Sequence, residues 1–559
     1  MKRLLPALLF LGAFFFLPLA RILALGLNPG FLGLLRGSFG AHLLEVLRFT
    51  LFQAFVSTVL TLLVGLPLAA VFARYRFPFQ SALRTLTAIP FLLPTVVVAA
   101  GFNALLGPRG WLNVALNQLG LPPVTFVGTL AAILTAHVFY NTGIVIRIVG
   151  AAWSALDPRL EQAARSLGAA SFQVFWRVTL PLLRPAILTA GLLVFLFDFT
   201  SYGVILMLGG PRFATLEVEI YLQAMHLLNL PAASVLALTQ LACTLVLSVL
   251  YSRSLNRLSA PVKPVERPRE RPQTLRQRAF VFLVSTFVLF FFLLPMLALP
   301  LRSVARLEPA RGQRSEIAPS LTLDYYRELF VNRRGSVFYV PPITAARNSL
   351  AYASLTVLFS LAMGFPAALA LSRSNKIARL IDPLLILPLG ASAVTLGLGY
   401  IVTFNRPLLS LSPAFHSLLS TPLLTSPLLV PLAHTTIALP FVIRNLQSAL
   451  ATIPPRYREA AAVLGATPWQ VWWHIDRPMI ARAIVSSGAF AFTVSLGEFG
   501  AASLLARPEY PTLPTAIFRF LSQPGSLNYG QAMAMATLLM LLTGFFIWLI
   551  ERGRVANAL

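Results

Sequence analysis

The chain is 559 residues long, 57% hydrophobic and only 11% charged, with a mean hydropathy of +0.77. A soluble domain carries about a quarter charged residues, and no soluble core buries so much apolar side chain, so a bilayer is the solvent that fits. The formal charge of +26 does not indicate nucleic acid as a partner, because the basic residues punctuate apolar segments instead of gathering into one aromatic-laced patch; that placement marks cytoplasmic loops.

Met1-Lys2-Arg3 precedes an apolar run that continues past Arg21 to about Leu27. It is read as an uncleaved first transmembrane helix and not as a signal peptide. Apolar stretches of about 20 residues, enough to cross the bilayer, then fall near 48–73, 84–106, 128–150, 184–207 and 231–252. A second series follows near 279–301, 348–372, 380–404, 428–450, 481–505 and 528–550. The expected fold is therefore an all-α integral membrane protein with about 12 transmembrane helices. With both termini cytoplasmic, the inner connections hold more than half of the Lys and Arg, in keeping with the positive-inside rule. The loop at 302–346 is the basic exception on the outside, and long loops weigh less in that rule.

The chain repeats itself at a spacing of about 297–299 residues. Arg48 and Leu51 recur as Arg347 and Leu350, Gly65 and Pro67 as Gly364 and Pro366, and Ala136-His137 as Ala433-His434. Gly168 pairs with Gly465, Tyr202-Gly203 with Phe499-Gly500, and Thr215-Leu216 with Thr512-Leu513. Six spans per copy is an even number, so the copies run parallel across the membrane and enclose a path between them. The halves are placed at 1–252 and 279–559, joined by a Pro- and Arg-rich connector at 253–278. Gly65/Pro67, Pro90/Pro94 and Gly364/Pro366 are expected to kink or loosen their helices. The single cysteine, Cys243, lies in an apolar run and is read as a packing residue.

One cytoplasmic loop in each half has an unusual composition. At 157–182, Glu161-Gln162-Ala163-Ala164 leads to Gly168 and, after nine residues, to Val178-Thr-Leu-Pro181. At 454–479, Glu459-Ala460-Ala461 leads to Gly465 and, after nine residues, to Ile475-Asp-Arg-Pro478. Each should begin as a helix at a proline, with its acid in the first turn. Each should break at the glycine and continue as an aromatic segment anchored to the bundle until the second proline stops it. Small alanines would let the groove of another protein close over such a helix. The paired loops are read as docking sites for a soluble motor, in preference to interfacial helices that only cap the bundle.

These loops resemble the "EAA" motif, Glu-Ala-Ala-x3-Gly-x9-Ile-x-Leu-Pro, of inner-membrane permeases of binding-protein-dependent ABC importers. The second copy has Arg477 in place of the leucine; the first has Gln162 in place of the glutamate and Val178 in place of the isoleucine. Two halves on one chain further resemble the ferric-iron and thiamine permeases of that superfamily. The segments 107–113, 136–141 and 208–221 look most like the thiamine branch. The resemblance implies two copies of an ATPase subunit inside, a solute-binding protein outside, and thiamine or iron(III) as cargo.

No phosphate loop of the G-x-x-x-x-G-K-[ST] type occurs. ATP and magnesium are therefore expected on the partner, with no cofactor, metal or catalytic site in this chain. Ionisable residues in apolar spans are costly and mark candidate paths. Asp198 and Glu498, with their neighbours Ser201, Tyr202 and Phe499, are the candidates here, while His137 and His434 are read as packing or hydrogen-bonding residues. A major-facilitator-like secondary transporter also has two parallel six-helix halves, but it would not need the matched docking loops. An intramembrane enzyme would need a catalytic constellation that the sequence does not offer.

Overall fold

A computed structural model describes residues 3–27, 37–258, 270–307, 320–332, 340–372, 376–405 and 423–555. The first half contains α1 (Leu5–Gly26), α2 (Ser38–Arg74), α3 (Gln80–Leu92), α4 (Thr95–Leu106), α5 (Trp111–Gln118) and α6 (Leu130–Ser154). It continues with α7 (Pro158–Ser166), α8 (Ser171–Phe199), α9 (Gly203–Leu208), α10 (Leu216–Tyr221) and α11 (Leu230–Leu258). The second half contains α12 (Leu275–Val304), α13 (Asp324–Arg327), α14 (Pro342–Leu371), α15 (Lys376–Ile386), α16 (Ala393–Phe404) and α17 (Leu429–Ala451). It ends with α18 (Pro455–Val463), α19 (Trp469–Gly497), α20 (Gly500–Leu505), α21 (Leu513–Leu521) and α22 (Ser526–Val555). Among the described residues the strands are one two-residue antiparallel pair, Ala305–Arg306 with Ser320–Leu321. Helices dominate because in lipid only a helix satisfies every backbone group within one segment.

Ten helices among the described residues are long and apolar enough to span, and two bent pairs raise the number to 12. The bent pairs are the expected spans 84–106 and 380–404, turned by 111° and 101°. The first turns at Leu93, whose extended backbone precedes Pro94, as a residue before proline prefers. The second turns at Ala391–Ser392, where the Ser392 hydroxyl accepts from the Thr395 amide and starts α16. By contrast α2 and α14 continue through Pro67 and Pro366 without a break, as helices of 37 and 30 residues. The glycines beside those prolines serve packing instead. A Cβ on Gly65 would lie 2.7 Å from Val145, and one on Gly364 would lie 2.9 Å from Val442, so each half closes its main helix pair at a small residue.

The expected spans 184–207 and 481–505 are not single helices. α8 ends at Phe199 and α19 at Gly497, and each chain then restarts in a short helix, α9 or α20. The apolar run continues across both breaks, so hydropathy alone could not detect them. The connector also differs from expectation. α11 runs past 252 to Leu258, and α12 begins at Leu275 with a Thr274 cap. Glu270 pairs its backbone with Arg74 and Arg76, while 259–269 lie outside the described residues. In the outer loop, 308–319 and 333–339 also lie outside them. The described part packs inward: buried Tyr325 sits on Gly530 of α22, and Gln531 donates to the Glu328 carbonyl at 3.0 Å.

Each half lends its first helix to the other. α1 packs on α16 and α11, and α12 packs on α4 and α22. Glycine makes the approach possible in both copies: a Cβ on Gly101 would meet the Pro295 carbonyl at 2.8 Å, and one on Gly399 would meet Pro18 at 2.9 Å.

Candidate functional site

The breaks in α3/α4, α8/α9, α15/α16 and α19/α20 converge on one cavity of about 420 Å³ between the halves. All five path candidates, Asp198, Ser201, Tyr202, Glu498 and Phe499, line it, together with His137, Asn141 and Glu217. Three carboxylates therefore face a space whose described lining includes no Lys or Arg. Burying charge is costly unless it is paired or hydrogen-bonded, and each acid here is held by polar groups. Asn141 donates to Asp198 at 2.7 Å, and Gln53 donates to the Asp198 backbone carbonyl at 2.8 Å. Glu498 accepts from the Ala501 and Ala502 amides at 2.9 and 3.0 Å. It thereby caps α20, where the helix dipole favours a negative charge. Glu217 accepts from Gln240 of its own half at 2.9 Å and from Ser392 of the other half at 3.0 Å.

The two histidines are hydrogen-bonded, as the sequence reading has them. His137 lies 2.9 Å from both Ser57 and Ser201, and 3.4 Å from Asp198. His434 lies 2.8 Å from Ser495 and 3.2 Å from Glu498. Repeat spacing makes Asp198 equivalent to Ser495 and Ser201 equivalent to Glu498. At these equivalent positions each histidine thus meets one acid and one serine, with the two types exchanged between halves, and His137 meets Ser57 as well.

Tyr202 and Phe499, also equivalent by the repeat, stack on each other across the halves at 5.3 Å. Tyr221 extends the row on one side at 5.7 Å and its counterpart Phe518 on the other at 5.5 Å. The Tyr202 hydroxyl lies 2.9 Å from that of Ser503. α9 leads from Tyr202 to Leu208, whose carbonyl accepts from Gly128 beside the start of α6. The row therefore lies toward the end of the molecule opposite the loop at 157–182, from which Asp198 is separated by roughly 25 Å of helix.

At the other end both loops form a short helix followed by a turn. α7 starts at Pro158 with the Asp157 side chain accepting from the Arg159 amide, and α18 starts at Pro455. Gly168 and Gly465 take φ of +84° and +82°. The amides of Gly168 and Ala169 bond Arg165 and Ala164, and those of Gly465 and Ala466 bond Ala462 and Ala461. This is the Schellman pattern in both copies. Gln162, Ala163, Glu459 and Ala460 are exposed, and Ala164 and Ala461 are partly so.

Three expectations for these loops need correction. Glu161 does not face outward; it is buried and bonded to Arg74 and Thr179, bracing α7 against the bundle. Arg458 and Asp476 form the corresponding brace in the second half at 2.8 Å. Glu459 lies one position beyond the first turn of α18, not within it. Pro181 and Pro478 do not stop the second segment, which runs unbroken into the bundle as α8 and α19. A π-helical stretch, Phe175–Thr179 or Trp472–Asp476, precedes each proline, and such a local adjustment lets a membrane helix accommodate the missing donor. One aromatic per half anchors the loop, Phe175 on Trp153 and Trp472 on Phe365. Phe172, Trp176, Trp469 and Trp473 are exposed.

The model of the family described as "Binding-protein-dependent transport system inner membrane component" matches residues 62–260 and again 344–552. The chain belongs to this family. Among curated relatives, the thiamine transport system permease protein ThiP of Brucella abortus (strain 2308) is 28% identical, covering 96% of this chain and 92% of its own length. The ThiP protein of Escherichia coli (strain K12) is 27% identical, covering 92% and 89%. A probable ABC transporter permease of Sinorhizobium fredii (strain NBRC 101917 / NGR234) is 27% identical, covering 84% and 80%.

The chain is thus an ABC importer permease, a multi-pass inner-membrane protein whose two halves are copies of one domain. Sequence reasoning did not single out Asn141, Glu217 or Ser392 as lining residues of this permease. Asn141 follows His137 by four positions and so shares its helix face. Glu217 is one of two carboxylates, with Glu219, in the segment Leu216–Tyr221, a signal like the one that marked Asp198. Ser392 has no such signal, because its role depends on a bend and on a partner in the other half.

Proposed function

We propose that this permease carries thiamine, delivered outside by a solute-binding protein and driven by ATP hydrolysis on two ATPase subunits inside. The observation that carries the cargo reading is the cavity between the halves. Three buried carboxylates and the rings of Phe91, Tyr140, Phe197, Tyr202 and Phe499 line it, a combination that suits a flat organic cation. The thiamine permeases among the relatives support the same reading over nearly the whole chain.

ATPase docking is assigned to Gln162, Ala163, Ala164 and Gly168 in the first half and to Glu459, Ala460, Ala461 and Gly465 in the second. Pro181 and Pro478 lie where each loop joins its spanning helix, and buried Glu161 stiffens that joint. Because α8 and α19 continue without interruption from the loops to the cavity, a push on either loop moves Asp198 or the Glu498 turn as a rigid lever. This geometry supports coupling from motor to path, with both termini on the motor side. The Tyr202–Phe499 stack closes the outer end of the cavity in the conformation described.

The test is to purify the tagged permease in mild detergent, identify its ATPase partner and reconstitute both in liposomes. Thiamine-loaded binding protein should stimulate ATP hydrolysis and thiamine uptake together. Uptake driven by a proton or sodium gradient, with no associated ATPase, would overturn the proposal.

A further inference from the structure

We propose that Asp198 and Asn141 form a subsite in the first half that accepts the amino group of a cationic amino-heterocycle. The inference rests on the thiamine reading and names the part of the cavity that reads the cargo. Asp198 and Asn141 are 1% and 2% exposed. The Asn141 amide nitrogen donates to one Asp198 oxygen, yet Asp198 Oδ2 and Asn141 Oδ1 have no hydrogen-bond partner among the described residues. A buried acceptor left unmade is unfavourable, and here two of them belong to residues lining the same cavity. An amino group has two N–H bonds to give, one to each acceptor. The quaternary nitrogen of a thiazolium ring has none, so the amino-bearing ring is the end assigned to this pair.

The surroundings suit a flat ring. Phe91 lies 6.1 Å from Tyr140 and 5.6 Å from Phe197, and all three line the cavity beside Asp198. The Tyr140 hydroxyl donates to the Leu93 carbonyl at 2.9 Å, fixing its ring at the bend before α4.

The repeat supplies an independent argument. Tyr140, Asn141, Phe197 and Asp198 correspond to Ile437, Ala438, Val494 and Ser495. The second copy therefore offers no ring, amide or acid at these places, although it keeps His434, Phe499 and Phe518 opposite His137, Tyr202 and Tyr221. An asymmetric solute on a pseudo-two-fold axis presents different chemistry to each half. Divergence at these positions is what a cargo-reading pocket in one half requires.

The test compares equilibrium binding of thiamine and oxythiamine to the detergent-purified permease–ATPase complex. Oxythiamine keeps the thiazolium charge but carries oxygen in place of the amino group. Wild type should prefer thiamine by about tenfold or more, the effect of losing a hydrogen bond to a charged acceptor. Asn141→Ala and Asp198→Asn should each reduce that preference toward unity, while Ser495→Ala retains it. The ratio of affinities does not depend on the fraction of folded protein, so a partly damaged variant does not imitate the result. Variants that keep the wild-type preference, or a wild type that binds both compounds equally, would overturn the subsite alone. A wild-type complex that binds neither compound would overturn the thiamine reading itself.

Discussion

Truncating Tyr202 to alanine should open the outer end of the path, by an amount that follows from its contacts. Its ring pairs with Phe499 at 5.3 Å and with Tyr221 at 5.7 Å, and its hydroxyl meets Ser503 at 2.9 Å. Each aromatic pair contributes about 0.5–1.5 kcal/mol, and the hydrogen bond about 1 kcal/mol. Ser503 also donates to the Gly500 carbonyl at 2.8 Å, so the substitution leaves no orphaned hydroxyl. The closed form loses about 3 kcal/mol in all, which raises the outward-open population on the order of 100-fold. Tyr202→Phe keeps both ring contacts and loses only the hydroxyl bond, so its shift should be roughly fivefold. The assay is ATP hydrolysis by the reconstituted permease–ATPase complex without binding protein. Its rate should rise in the order wild type, Tyr202→Phe, Tyr202→Ala. An unchanged rate in Tyr202→Ala, with uptake from loaded binding protein intact, would refute the assignment of this row as the outer closure.

Other substitutions test the loops and the exchange of first helices. A Cβ on Gly168 or Gly465 meets nothing within 4 Å, yet the positive φ of each disfavours a side chain by about 1–2 kcal/mol. The double variant Gly168→Val/Gly465→Val should insert normally and lose thiamine uptake, seen as intact permease in membranes with ATPase association or coupling lost; normal uptake would refute the docking role. Gly101→Val and Gly399→Val should each destabilise the purified permease by about 1–3 kcal/mol through contact with Pro295 or Pro18, whereas Gly12→Val, with open space around it, should not. Thermal melting in detergent reads that difference, and equal melting temperatures would count against the swapped packing. Glu217→Leu leaves Gln240 and Ser392 without the acceptor that joins the halves. It should lower stability by about 1–3 kcal/mol and also weaken thiamine binding, measured on the same preparation.

Much of the permease was legible in one dimension. Hydropathy indicated the number of crossings, because the bilayer sets a minimum apolar length that a helix must reach. The repeat showed the two parallel halves, and the spacing from Pro158 to Gly168 and from Pro455 to Gly465 outlined the two loop helices. A proline at a helix start and a glycine at its C-terminal turn act on the backbone locally. Asp198 and Glu498 stood out because an acid in an apolar run is costly wherever the chain goes.

What stayed hidden depends on neighbours distant in sequence. The breaks after Phe199 and Gly497 sit inside apolar runs, and only the structure shows that they converge on one cavity. Glu161 looked like a surface acid at the start of a helix, but Arg74 and Thr179, 87 and 18 positions away, turn it inward. The continuity of α8 and α19 through Pro181 and Pro478 was equally invisible, since a π-helical turn accommodates the proline without leaving a compositional trace. The sequence by itself determined the solvent, the parallel repeat and the two loop helices, because each follows from local chemistry or from self-similarity. Only the tertiary structure decided which first helix packs on which half, that Ser392 reaches Glu217, and that Tyr202 stacks on Phe499. Those contacts join segments far apart in the chain, and self-similarity alone does not say which of them meet.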